Sequence, residues 1–170
     1  MKYTVTKKNI FNTLNEVILY GVILLVIIIY LWTEFNPKEY GNTIFLVYGL
    51  LIFFYLVVVF IPVIVLFFNY YKQNKDDVVI FKENEIIINN QLIKVLDIKQ
   101  VNIFANKMHF KGQVGKLPHQ DNFYYIELIL KNNSVYILTS LLSHNIDKEL
   151  KDKFHYLLYS ENVKTYPLIK

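Results

Sequence analysis

Between Val17 and Trp32, and again between Thr43 and Tyr71, the chain carries no Lys, Arg, Asp, Glu or His. A bilayer's hydrocarbon core needs about 20 apolar residues at ~1.5 Å each, so both runs predict membrane-spanning helices, over about 14–33 and 43–69. The first reaches full length with Leu14 and Asn15 at one interface and Thr33 at the other. Ile10, Phe11, Leu14, Val17 and Ile18 share a helical face, which predicts an amphipathic lead-in continuous with that span. The second run, about 29 residues or ~43 Å as a straight helix, predicts tilt or extension past the cytoplasmic interface. Pro62 in its second half reads either as a hinge or as a kink of the sort spanning helices tolerate. Tyr30, Trp32, Tyr70 and Tyr71 fall where aromatic rings anchor helices at the membrane interface.

The short connection EFNPKEYGN (34–42), with Pro37 and Gly41 as turn residues, makes the pair an antiparallel hairpin. Lys2, Lys7 and Lys8 precede it and Lys72, Lys75 and Lys82 follow it, whereas the loop offers only Lys38 beside Glu34 and Glu39. The positive-inside rule then puts both termini in the cytoplasm. No small-x-small cleavage site follows the first run, which argues against a signal peptide.

From Lys72 the pattern changes to short β-branched runs with period-2 alternation, separated by Asn-rich turns. Val78–Phe81, Glu85–Asn89, Gln91–Leu96 and a run from about Lys99 predict strands, and Asn89-Asn90 suits a two-residue hairpin turn. Ile126, Leu128 and Leu130 alternate with Tyr125, Glu127 and Ile129, then turn at Asn132-Asn133 onto Val135 and Ile137. Ile146, Leu150, Phe154, Leu157 and Leu158 form a helical apolar stripe behind an Asn145 N-cap. The domain boundaries are therefore 1–71 for a two-helix hairpin and 72–170 for a cytoplasmic domain.

Composition narrows the function. Of 170 residues 54% are hydrophobic and 19% charged, and the net charge of +4 is carried by lysine alone, with no arginine. Bidentate phosphate clamps are built from guanidinium groups, so nucleic acid is not the expected partner. The absence of cysteine excludes disulfides, thiolate metal sites and cysteine nucleophiles. Neither span carries an ionisable group in its interior, as an ion or proton path requires, so the pair reads as an anchor. Gly21 and Gly49 stand without a small-xxx-small repeat.

VVIFKENEIIINNQLIKVLDIKQVNIF (78–104), FYYIELILKNNSVYILTS (123–140) and NIDKELKDKFHYLL (145–158) follow one another as antiparallel strands closed by a C-terminal helix. This order resembles a bacterial pleckstrin-homology-like (PH-like) domain, and Asp97-Ile98-Lys99-Gln100-Val101 resembles the D-I-x-x-V step into a strand of that family. The resemblance covers about 76–160, with six or seven strands. It implies a bent antiparallel sheet or open barrel plugged by the helix, and a binding role in place of catalysis. A two-helix membrane hairpin often precedes such domains. A phosphoinositide pocket of the eukaryotic kind needs basic residues clustered on the first hairpin; the turn after Val78–Phe81 offers only Lys82, beside Glu83 and Glu85.

The segment Asn106–Asn122 holds Lys107, Lys111 and Lys116 with one acid, Asp121, and interleaves Phe110, Val114 and Leu117. Lysines for anionic headgroups and apolar tips to dip below them suit a membrane surface. The competing reading is a solvated hairpin with Met108 and Phe110 packed inward. Gly112 to Lys116 lacks the spacing and the following Ser/Thr of a phosphate loop. His109, His119, His144 and His155 show no metal-ligand spacing, and no serine sits in a nucleophile elbow. An enzyme reading requires His109, His119 and Asp121 to converge.

The expected protein is thus multi-pass in a bacterial inner membrane, with both termini cytoplasmic and no catalytic residue, metal or cofactor. It is a binding or adaptor module whose partners are membrane lipids and a protein, with homo-oligomerisation open. The alternative is an immunity or regulatory protein acting on another membrane protein through its spans. The tail Asn162–Lys170 reads as an edge strand, a free end or a docking peptide.

Overall fold

The computed structural model describes residues 1–35, 41–111 and 117–170. A three-residue strand, β1 (Lys2–Thr4), precedes helix α1 (Lys7–Glu34), whose N-cap Thr6 accepts the Asn9 amide at 3.2 Å. Helix α2 runs Asn42–Asn74. Within it Leu56–Phe60 forms a π-turn, in which the Ile61 N–H bonds back to Leu56 O. Pro62 follows at the start of the next α-helical stretch, where its missing N–H is tolerated. The two helices meet where the Tyr55 hydroxyl donates to Val17 O at 3.0 Å. Gly21 permits this approach, since a Cβ there would lie 2.9 Å from the Tyr55 oxygen, while Gly49 faces open space.

Strands β2 (Val78–Phe81), β3 (Glu85–Ile88) and β4 (Gln91–Lys94) join β1 in a four-stranded antiparallel sheet of order β1-β2-β3-β4. Asn89 and Asn90 adopt φ 49° and 66°, as a two-residue turn with left-handed positions demands. Residues 2–4, which the sequence reading leaves in the basic flank of the hairpin, instead pair Lys2, Tyr3 and Thr4 with Ile80, Val79 and Val78. The helical hairpin is therefore inserted between the first two strands of the sheet, not attached in front of it. The turn at 82–84 joins the second and third strands, so the first hairpin connection, where the resemblance places a headgroup pocket, is the helical pair itself.

The second sheet has order β7-β6-β5-β8, from β5 (Ile98–Ala105), β6 (Tyr124–Leu130), β7 (Val135–Thr139) and β8 (Tyr159–Val163). Asn133 takes φ 66° in the β6–β7 turn. Two short helical turns, α3 (Lys107–Lys111) and α4 (Pro118–Asp121), lie between β5 and β6. Eight strands are present among the described residues, against the six or seven expected. Val79, Phe81, Ile86, Val101, Ile103, Ile126 and Leu128 fill the space between the sheets, and α5 (Ile146–Lys153) closes one end with Ile146, Leu150 and Phe154.

That helix stops five residues earlier than its apolar stripe predicts. Phe154 leaves helical geometry at φ −124°, and the Tyr159 hydroxyl shares its single hydrogen between Leu150 O and Phe154 O, both at 3.0 Å, while the Leu157 amide also bonds to Phe154 O, so the last turn closes without being prolonged. The chain is then free to add β8 parallel to the open edge of β5, with Val101 opposite Tyr159. Leu157 still packs on the core, but Leu158 is exposed.

A second core lies on the outer face of the β5–β7 sheet. Val63, Leu66 and Tyr70 of α2, with Val17 of α1, pack on Phe123, Tyr125 and Leu141. Both faces of β6 are consequently buried at Tyr124 and Tyr125. The Asn74 side chain donates to Ile137 O at 2.9 Å, fixing the last turn of α2 to β7. The Asn9 side chain does the same for the first turns of α1, donating to Leu142 O at 2.8 Å.

Candidate functional site

The lysine-bearing segment is held against the root of the hairpin. Asn106 starts α3 by accepting the Met108 amide at 3.0 Å. α4 packs against both α1 and α2. Just past α4, the Asn122 side chain donates to Thr13 O at 3.4 Å and to the Glu16 carboxylate at 3.3 Å. α4, on which α3 packs, thus lies against the turns of α1 that precede its run of exposed apolar side chains from Ile18 onward.

Lys107 and Lys111 are exposed there, whereas Lys116 and Val114 lie outside the described residues. Phe110 is partly buried on the first core and Leu117 on the second, so these two apolar side chains fill the domain. The inward packing of the competing reading holds for Phe110, and Lys107 and Lys111 still face outward.

His109 locks α3 in place. Its Nε2 lies 3.1 Å from Asp147 at the start of α5, its Nδ1 lies 3.5 Å from Asp121, and its ring lies over Tyr124 at 4.4 Å. Burial pushes the Asp147 carboxyl up, but hydrogen bonds from His109 and Tyr124, the His109 charge and a backbone amide outweigh it, so the net shift is downward. Burial raises the Tyr124 hydroxyl well above its ordinary value, and the Asp147 charge adds to this. His119 takes no part in this cluster. Its ring stacks on Tyr166 at 5.3 Å, and burial lowers its pKa. Among the described residues no group of three His, Asp or Glu side chains is set to hold a metal.

The four aromatic positions separate. Tyr30 and Trp32 are exposed near the far end of α1, Trp32 stacking on Tyr48 at 6.3 Å. Tyr71 is partly exposed and stacks on Phe67 at 5.7 Å. Tyr70, expected at a lipid interface, is fully enclosed by protein, edge-on to Phe123 and Tyr125. The reason is that α2's apolar face has a protein surface available here.

The tail is docked. The Tyr70 hydroxyl donates to Pro167 O at 2.8 Å, and the Asn69 side chain both donates to Ile169 O at 3.1 Å and accepts the Ile169 amide at 2.9 Å. Sequence reasoning missed Asn69 and Tyr70 as receptors for the tail. The one signal was an asparagine inside an otherwise apolar run, since a buried amide demands partners.

Compared with known families, residues 2–149 match a family model described as a PH domain. The match begins at β1 and so takes in both long helices. No curated protein and no solved structure matches the chain.

Proposed function

This chain belongs to the PH-domain family, and from that premise we propose that it is a non-catalytic binding module mounted rigidly on a bacterial inner membrane, whose lysine-bearing α3–α4 segment contacts anionic headgroups. The observation carrying this reading is the continuity of α2. Its far half presents mostly exposed apolar side chains, and in its near half one face, Val63, Leu66 and Tyr70, belongs to the second core while Val65 and Phe68 stay exposed.

On this reading the hydrocarbon holds about 18–33 of α1 and 43–61 of α2. These stretches measure ~24 and ~28 Å, within a few Å of the ~30 Å required. The second span therefore ends nearer Ile61 than 69. Thr13 and Glu16 then fall at the headgroup level, where Asn122 fastens the α3–α4 segment. Both termini and the whole PH-like domain lie on the lysine-rich side. Because the hairpin is clamped at both roots, the domain cannot tumble, and Lys107, Lys111 and Lys116 meet the surface at high effective concentration.

The test is lysine acetylation of the full chain in nanodiscs, followed by peptide mass spectrometry. In discs containing anionic lipid at low salt, Lys107, Lys111 and Lys116 should acetylate several-fold more slowly than in neutral discs, with Lys131 unchanged. High salt should abolish the difference. Equal rates in both lipids overturn the headgroup contact.

A further inference from the structure

The way the tail is held differs from the way the rest of the chain is held. Backbone pairing with the second sheet ends where the Lys164 amide bonds to Ala105 O at 2.8 Å. Beyond it, side chains of the domain and of α2 grip backbone atoms of the tail at alternate residues. Asn106 donates to Thr165 O at 3.1 Å, Tyr70 to Pro167 O at 2.8 Å, and Asn69 makes its two-way pair with Ile169. A side-chain amide that both gives and takes a hydrogen bond with one residue's main chain reads a peptide backbone, whatever its sequence.

Sequence preference would come from the side chains between these grips. Pro167 is buried, Ile169 packs on the second core, and Tyr166 lies on the His119 ring. We infer that the channel between α2, α4 and the end of β5 is a peptide-binding groove for an aromatic-Pro-x-aliphatic segment turned at its proline, where the Leu168 amide bonds to Tyr166 O at 2.9 Å, filled in this chain by its own residues 164–169 as an exchangeable ligand.

Beyond Lys164 the tail is held by side chains that grip its backbone and not by sheet pairing, which suits a tethered segment that another peptide backbone can replace. The inference rests on the binding-module reading and supplies its protein-ligand class, independently of whether lysines touch lipid. A tethered tail outcompetes a free peptide through its effective concentration, so binding in trans is measurable only once the tail is removed.

The experiment uses the chain ended after Val163, in micelles, titrated with a fluorescent peptide of residues 164–170 and followed by anisotropy. Saturable binding is expected to the shortened chain, with little to the full chain at the same concentrations. Asn69→Ala in the shortened chain should weaken it roughly tenfold to a hundredfold, for two lost hydrogen bonds. A folded shortened chain that does not bind the peptide overturns the inference.

Hydrogen exchange on the intact chain guards against a shortened chain that fails to fold. The Ile169 amide should exchange faster than those of β6, and faster again in Asn69→Ala. Exchange at the slow β6 rate would make the tail an integral part of the core and overturn the exchangeable-ligand reading just as firmly. Lysine protection in nanodiscs is read separately, so failure of one reading leaves the other standing or falling on its own result.

Discussion

Along the first half of α2, Phe45, Leu46, Leu50, Phe53, Phe54 and Val57 point away from the protein; along the second, Val63, Leu66 and Tyr70 are almost wholly enclosed by it. Both halves are rich in apolar residues, and hydropathy cannot tell their environments apart because it counts transfer from water without asking into what. Lipid and a protein core both accept Leu. What distinguishes them is packing: a lipid-facing side chain has fluid neighbours, while Leu66 has fixed ones on Phe123 and Tyr125. The excess length of the second apolar run follows. On the proposed reading it is a span of ordinary length continued by a helix whose one face belongs to the domain's second core.

The largest effect should come from truncating one residue in each half. Leu66→Ala leaves a cavity in the second core and is expected to cost about 2–5 kcal/mol, as buried leucines do. Phe54→Ala in the outward-facing half should change domain stability by less than about 0.5 kcal/mol. Urea titration of the full chain in micelles, followed by amide exchange of β6, checks both. Equal losses would abolish the distinction between the halves, and no loss at Leu66 would detach α2 from the domain.

A smaller effect should separate the domain proper from its mount by pH. His119, on the mount side, has its pKa lowered by burial from 6.5. The unfolded chain then binds more protons, so stability is full above about pH 6.5 and falls as pH drops below it. Asp147, on the α5 side, has a depressed carboxyl pKa, so its contribution is present above about pH 4 and is lost as pH falls through the folded value. Melting temperature against pH should show two separable declines, the upper one removed by His119→Phe and the lower one reduced by Asp147→Asn. A single decline common to both variants would mean that mount and domain titrate as one unit.

Several elements could be read from the sequence because their causes are local. Asn89-Asn90 and Asn132-Asn133 mark turns through their tolerance of left-handed φ. The alternation of Ile126 and Leu128 marks a core-facing strand. Lys107 and Lys111 are exposed, as lysines among polar neighbours are. The elements that escaped are those whose causes lie elsewhere in the chain. Tyr3 is a strand residue because Val79 is, and nothing within Lys2–Thr4 announces a partner across two helices. Ile61–Asn74 is apolar on nearly all sides, so no stripe shows which face meets protein. Leu158 lies outside the helix because the Tyr159 hydroxyl caps it, a contact the 3.6-residue period cannot express.

The smallest effect concerns Pro62, at the boundary between the two halves. A hinge requires that one side of the proline move against the other. Val59 before it and Val63 after it are both buried in the second core, so the helix is held on each side. The π-turn at Leu56–Phe60 absorbs the register that the missing N–H would otherwise disrupt. Pro62→Ala should therefore shift stability by less than about 1 kcal/mol and leave the acetylation ratios of Lys107 and Lys111 between anionic and neutral nanodiscs unchanged. A change in those ratios without a change in stability would identify Pro62 as a pivot that sets the angle at which the domain meets the membrane.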